Sequence, residues 1–236
     1  MWEESIAAPE AGPDGGIEAA VVRKLVGRAW TDWEHRGMRL ADIAVPTTAS
    51  AERALWVVTT FASPALANHS VRSYLWAAAY ADAHTITYDA ELLYVSAMLH
   101  DIGLVASFDS HAVPFELAGG DVARVFAAGA GWTPERGVRV AEVIDRHMWD
   151  EVDVDQDPEG HLLELSTGLD ISGRSPDQWP QDLRDEVLAR YPRLGIATEF
   201  TACMSAEAAR KPDSAAASLV RRGMLDRISA NALDRA

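Results

Sequence analysis

Residues 90–103 read AELLYVSAMLHDIG, an apolar segment that ends in the adjacent pair His100 and Asp101. Its apolar residues recur at steps of three and four, a spacing that predicts a helix with a buried face. We expect Thr87 to cap the start of this helix and Gly103 to end it in the left-handed conformation. The segment therefore predicts a buried helix that carries a histidine and an aspartate at its end.

Helical spacing continues along most of the chain, and strand-like alternation is scarce. Further helices are predicted at about 17–35, 50–61, 64–82, 115–128, 133–148, 161–172, 181–190 and 195–209, with a last piece after Pro212. Residues 1–16 are rich in Pro and Gly and predict a flexible arm, whereas 17–236 predict one domain. The fold class we expect is all-α.

The overall composition excludes several classes of protein. The 236 residues include 21 basic and 36 acidic side chains, a net charge of −15, which disfavours nucleic acid as a partner. No uncharged run is long enough to span a bilayer, the first residues show no secretory pattern, and the single cysteine cannot form an internal disulfide. We expect a cytoplasmic protein that acts on a small molecule. Apolar residues in the last segment leave a homo-oligomer as an open alternative.

Three segments place metal-binding side chains on apolar helices: His69, the pair His100 and Asp101, and Asp170. A single histidine on such a helix is commonly a hydrogen-bonded core residue, but a buried carboxylate needs a partner. Residues 73–123 contain no lysine or arginine, so Asp101 has no cationic partner near it in the sequence. A metal ion would supply the missing positive charge.

The order of these residues, a helical histidine, a His-Asp pair and a later aspartate, resembles the HD-domain superfamily of metal-dependent hydrolases over about residues 66–173. The resemblance implies a helical bundle with additional terminal helices. It also implies that His69, His100, Asp101 and Asp170 bind a divalent metal ion. Two imidazoles and two carboxylates suit zinc, which we favour, and also iron, manganese or nickel.

Several local features look like the cyanamide hydratase branch of that superfamily. They are Asn68-His69-Ser70 with Arg72, Leu99 to Gly103, Phe115-Glu116 with Gly119-Gly120, and Ile144 to His147. Two-metal members carry a further histidine where this chain has Phe115, so one metal is expected. The resemblance implies that metal-bound hydroxide hydrates a cyanamide-like or nitrile-like substrate to a urea or amide.

Five further residues are candidates for roles around this centre. His147 is expected to donate a proton during the reaction, with a core histidine as the alternative. Glu116 is expected to orient a ligand or carry a proton, with a solvated glutamate as the alternative. Arg72, Phe115 and Trp76 are expected to contact the substrate, although core packing is the alternative for Trp76.

Two other functions stay open at this point. A nucleotide phosphohydrolase would need Arg or Lys to bind phosphoryl oxygens. Arg72, Arg146 and Arg174 could do so, but the segment around the His-Asp pair has seven acidic residues and no basic ones, which favours a small, uncharged substrate. The other alternative is a non-catalytic HD module that senses a ligand. The acidic loop at 150–159 is expected either to gate the site or to keep the surface soluble.

Overall fold

The computed structural model describes residues 38–234, in which the secondary structure is entirely helical, as the sequence predicts. The expectations for the arm at 1–16 and the helix at 17–35 lie outside these residues. The α-helices are α1 (Ala49–Phe61), α2 (Pro64–His84), α3 (Ala90–Leu99), α4 (Phe115–Gly129), α5 (Pro134–Arg146), α6 (Pro158–Ser172), α7 (Gln181–Arg190), α8 (Ile196–Arg210), α9 (Ala215–Arg221) and α10 (Met224–Ser229). Short 3-10 helices occur at Leu40–Asp42, Ile102–Leu104, Pro176–Gln178 and Ala232–Asp234.

Side-chain caps fix where several helices begin. The hydroxyl of Ser63 accepts a hydrogen bond from the amide of Leu66 at the start of α2, and Pro64 occupies the first helical position. The Thr133-Pro134 pair begins α5 in the same way, as the sequence predicts. Each such cap contributes about 1 kcal/mol by pairing an amide that the helix leaves free.

The segment around the His-Asp pair differs from the sequence prediction at both ends. Asp89, not Thr87, caps α3 through the amide of Leu92. Gly103 lies in a 3-10 helix and does not adopt the left-handed conformation. It is needed for a different reason: a Cβ there would lie 2.1 Å from the backbone oxygen of Phe115. The missing side chain therefore lets α4 pack closely against this segment.

Helix α2 is 21 residues long and packs against α3, α6 and α8, while α4 packs mainly on α5. One part of the apolar core lies between these elements and the C-terminal helices. It includes Leu66, Phe115, Ile171, Ile196, Phe200 and Met204. Full burial of a side chain of this size contributes about 1.5–3 kcal/mol. The packing holds α2, the end of α3 and α6 together at one place.

None of the helices within residues 38–234 combines the length and apolar character that crossing a membrane requires.

Candidate metal centre

The structure brings His69, His100 and Asp101 together at the junction of α2 and α3. His69 lies within α2, His100 caps the C-terminal end of α3, and Asp101 follows at the first turn beyond it. The Nε2 atoms of the two histidines are 3.0 Å apart, and Oδ2 of Asp101 lies 3.3 Å from the first and 3.2 Å from the second. These three donor atoms thus converge on one point, and all three side chains are buried.

The other ring nitrogens show which protonation state this arrangement favours. Nδ1 of His69 lies 2.7 Å from Oδ2 of Asp170, and Nδ1 of His100 lies 2.8 Å from the backbone oxygen of Ala97. If each Nδ1 donates its proton there, each Nε2 presents a lone pair to the other. Both carboxylate oxygens of Asp101 are buried, and no group within residues 38–234 donates a hydrogen bond to either of them. Three electron-pair donors without a donor group between them fit a bound cation.

Charge interactions shift the pKa values of these groups in opposite directions. Burial lowers the pKa of His69, but the nearby carboxylates of Asp101 and Asp170 outweigh it and raise that pKa above its usual value. Burial raises the pKa of Asp101, but the neighbouring His100 and His69 lower it well below the usual range. Asp101 is therefore an ionised carboxylate in a buried position, the chemical state in which carboxylates bind metal ions.

Asp170 occupies a different place from the one expected of a fourth metal ligand. Its carboxylate lies on the Nδ1 side of His69, away from the three converging donors. Arg72 donates to it from Nε at 2.8 Å and from a terminal nitrogen at 2.7 Å, and the indole of Trp76 donates at 2.9 Å. Because these groups already satisfy both oxygens, Asp170 orients the His69 ring in this structure.

The same contacts overturn the expectation that Arg72 and Trp76 touch the substrate. Both side chains are fully buried and neither lines the cavity at the centre. The remaining terminal nitrogen of Arg72 donates to the backbone oxygens of Tyr191 and Pro192, at 3.0 and 3.2 Å. Every nitrogen of this guanidinium thus has a partner within the protein, and none is left for a phosphate or a substrate.

His147 lies beside the three donors and lines the cavity, as its helical position predicts. Its Nε2 is 3.8 Å from Oδ1 of Asp101, and its Nδ1 hydrogen bonds to the backbone oxygen of Ile144. Burial lowers the pKa of His147 to about 3, assisted by the charge of His100. The ring is therefore neutral at pH 7 with a lone pair on Nε2, so in this state Nε2 can accept a hydrogen bond and carries no proton to donate.

Phe115 and Glu116 lie behind this group and not in the cavity, contrary to what was expected of Phe115. The Phe115 ring is buried and packs edge-on to His147, with ring centroids 5.8 Å apart. Oε2 of Glu116 is buried without a hydrogen-bond partner, and burial raises the pKa of this carboxyl to about 7. Phe115 and Glu116 therefore pack around His147 and do not line the cavity in which a substrate would bind.

A cavity of about 340 Å³ opens from the three donors to the surface. Its inner end is formed by buried side chains, and its rim by exposed ones such as Trp149, Asp150 and Arg222. Between them, the lining includes Met148, Thr167, Gly168, Ile171, Phe200, Leu219 and Met224. A volume at the low end of the usual range for ligand sites fits a small molecule.

Sequence reasoning missed three charged residues that line this cavity, Glu164, Arg222 and Arg227, whereas it named Arg174, which also lines the cavity, as a possible phosphate contact. Glu164 is a buried acid on an otherwise apolar stretch of α6, and that contrast was the available signal. The arginines come from three separate segments, so their spacing in the sequence does not show that they meet. Within the acidic loop, Asp150 reaches the cavity, while Asp157 caps α6 and pairs with Arg146 at 2.5 Å.

The family model of the HD domain matches residues 66–162 of the chain. The matched range contains His69, His100, Asp101 and His147, and it ends before Asp170. No curated protein matches the sequence. The match shows that this part of the chain is similar to HD domains, and the three buried donors lie within it.

Proposed function

We propose, from the HD domain at residues 66–162 and the geometry of its donors, that this protein is a mononuclear metal-dependent enzyme that adds water to a small molecule. One observation carries the proposal. Asp101 is buried and ionised, neither of its oxygens accepts a hydrogen bond, and two imidazole Nε2 atoms lie within 3.3 Å of it. Such a group is costly to bury unless a cation is bound to it.

The residues that would hold the ion are His69, His100 and Asp101, one donor atom from each. When bound, a divalent ion such as zinc supplies a Lewis acid and lowers the pKa of water toward about 7. Three protein donors leave coordination positions open, which is typical of a catalytic ion and not of a structural one. Residues 38–234 contain one such group of converging donors, and Phe115 cannot bind a metal, which supports one ion per chain.

Two side chains that line the cavity, His147 and Glu164, can orient the water and transfer its proton. Nε2 of His147 accepts a hydrogen bond from the reacting water and orients it, because this imidazole is neutral at pH 7. Glu164, a carboxylate paired with Arg174 whose pKa is raised by burial, lies in the same cavity and can take a proton from the water and pass it to the product. The buried inner end limits access of bulk water to these groups.

The most concrete reaction is hydration of a cyanamide-like or nitrile-like carbon to a urea or amide. A proton acceptor beside a metal centre suits attack by water on such an electrophilic carbon. The second candidate is a phosphohydrolase acting on nucleotides, and it is favoured by the arginines that line the cavity, Arg174, Arg222 and Arg227. Both reactions require the same three donors.

Two assays on the purified protein separate these reactions. Urea release from cyanamide and phosphate release from a panel of nucleotides are measured with zinc, iron, manganese or nickel added. We expect turnover in one assay, and its loss in Asp101→Ala together with the metal. The matched control is Asp121→Ala, because Asp121 is an exposed aspartate away from the metal donors.

Full turnover with retained metal in Asp101→Ala would remove Asp101 from the site and contradict the proposal. A protein that binds metal but shows no turnover in either assay would favour a ligand-sensing module.

A further inference from the structure

Three arginines line the outer part of the cavity, in a chain whose net charge is −15. Arg174 follows the end of α6, Arg222 follows α9, and Arg227 lies in α10. All three are substantially exposed, whereas the metal donors at the other end are buried. The cavity therefore joins a buried set of electron-pair donors to a basic rim.

Two of these arginines are already neutralised by acids of the same cavity. Arg174 lies 2.5 Å from a carboxylate oxygen of Glu164, and Arg222 donates to both oxygens of Asp150, at 3.0 and 2.7 Å. Arg227 donates to the backbone oxygen of Arg222 at 2.8 Å and forms no ion pair with any carboxylate of residues 38–234. The Arg227 side chain is exposed, so among residues 38–234 nothing pairs with its charge and it is accessible to an anion.

The summed charge of the residues that line the cavity also favours binding of an anion. Its acids are Asp101, Asp150 and Glu164, and its bases are Arg174, Arg222 and Arg227, so the fixed charges cancel. A divalent ion at the three donors, as in the proposed function, gives the cavity a net charge of about +2. A rim of this sign attracts a small anion, in contrast to the field of the rest of the chain.

We infer that the substrate carries an anionic group, a carboxylate or a phosphate ester, which Arg227 binds at the rim while the reacting end lies at the metal donors. This inference rests on the proposed function for the reacting end only. Apolar side chains such as Phe200, Leu219 and Met224 line the same cavity and suit an uncharged segment between the two ends. The inference keeps an uncharged reacting group, such as a nitrile, at the metal donors and adds an anionic group at the opposite end of the substrate.

Isothermal titration calorimetry with three matched probes tests this inference. Glycerol 3-phosphate, glycerate and glycerol share one carbon skeleton and differ in a phosphate ester, a carboxylate or neither. We expect the purified wild-type protein to bind one or both anions and not glycerol. Arg227→Ala should weaken anion binding by about tenfold, since a charge-assisted hydrogen bond is lost, and Arg227→Lys should weaken it less.

Arg221→Ala is the matched control. Arg221 is also exposed, donates to a backbone oxygen, that of Pro212 at 2.9 Å, and does not line the cavity. The two alanine variants remove the same charge, so anion affinity should fall in Arg227→Ala and stay unchanged in Arg221→Ala. Equal weakening in both would mean that only overall charge matters, and would overturn the inference.

Two other results would also overturn it. One is glycerol binding as well as the anions, or no binding by any of them. The other is release of phosphate from glycerol 3-phosphate, which would place the anion at the reacting end. Metal content measured on the same samples tests the proposed metal-dependent function separately from anion binding by Arg227. Anion binding through Arg227 without metal contradicts the proposed function alone, and metal without anion binding contradicts this inference alone.

Discussion

The two sides of the His69 imidazole face two buried aspartates whose surroundings differ completely. On the Nδ1 side, Asp170 accepts hydrogen bonds from Arg72 and Trp76 as well as from the ring. On the Nε2 side, Asp101 accepts no hydrogen bond at either oxygen. Both carboxylates are held ionised, the first mainly by Arg72 and the second by His100 and His69, against the burial that opposes ionisation.

This difference separates a structural network from a binding site. A buried carboxylate with a full set of donors stabilises one arrangement of the chain and has no oxygen to offer a ligand. A buried carboxylate without hydrogen-bond donors raises the free energy of the folded protein unless a cation binds to it. The comparison therefore assigns Asp170 to the support of His69 and Asp101 to the metal.

The largest expected effect is on the supporting side. Asp170→Asn leaves the guanidinium of Arg72 buried without its counter-charge, which should lower the free energy of unfolding by about 3–5 kcal/mol. Urea denaturation of metal-free protein, followed by circular dichroism, measures this loss. Asp101→Asn is the matched control, since it removes a buried carboxylate that accepts no hydrogen bond, and it should cost less than half as much. Equal losses would remove the distinction between the two aspartates.

A smaller effect is expected from the metal itself. An ion that binds only the folded protein, at a concentration about a hundredfold above its Kd, stabilises it by about 2.7 kcal/mol. Thermal unfolding of chelator-treated wild-type protein with and without added zinc measures this gain. The gain should be absent in Asp101→Asn and still present in the exposed control Asp121→Asn. An identical gain in Asp101→Asn would place the ion elsewhere.

Glu116 extends the comparison between the two aspartates. Like Asp101, it is buried and has an oxygen without a hydrogen-bond partner among residues 38–234, but it does not belong to the group of metal-binding donors. Its pKa is raised from 4.5 to about 7, so it contributes stability below pH 4.5 that is lost as the pH rises through 7. Glu116→Gln, which cannot ionise, should therefore be more stable than wild type at pH 8, by about 1–3 kcal/mol, and nearly equal at pH 4.

Urea denaturation of both proteins at the two pH values checks this difference. A variant less stable than wild type at pH 8 would show that the ionised carboxylate has a partner after all.

Local signals were enough to predict part of this picture. The all-α class and most helix bounds follow from apolar spacing, and the His-Asp pair at a helix end identifies His100 and Asp101. The place of Asp170 was not predictable in this way. It depends on a buried arginine one turn beyond His69, and nothing in the spacing of Arg72 shows that it is buried and pairs with an aspartate 98 positions later.

The basic rim could not be predicted for a similar reason. Arg174, Arg222 and Arg227 belong to separate segments that meet only through the packing of α6, α9 and α10. In the sequence, the C-terminal arginines look like the solvated face of a short helix. The start of α6 was missed because Asp157 and its neighbours resemble an acidic loop, whereas Asp157 caps the helix and pairs with Arg146.

The most direct test of the account is a titration of chelator-treated protein with zinc, followed by calorimetry and by elemental analysis after dialysis. The convergence of His69, His100 and Asp101 predicts about one ion per chain in wild-type protein and almost none in Asp101→Asn, with both proteins folded by circular dichroism. The same stoichiometry and affinity in the two proteins would show that Asp101 does not hold an ion, and would contradict the central claim.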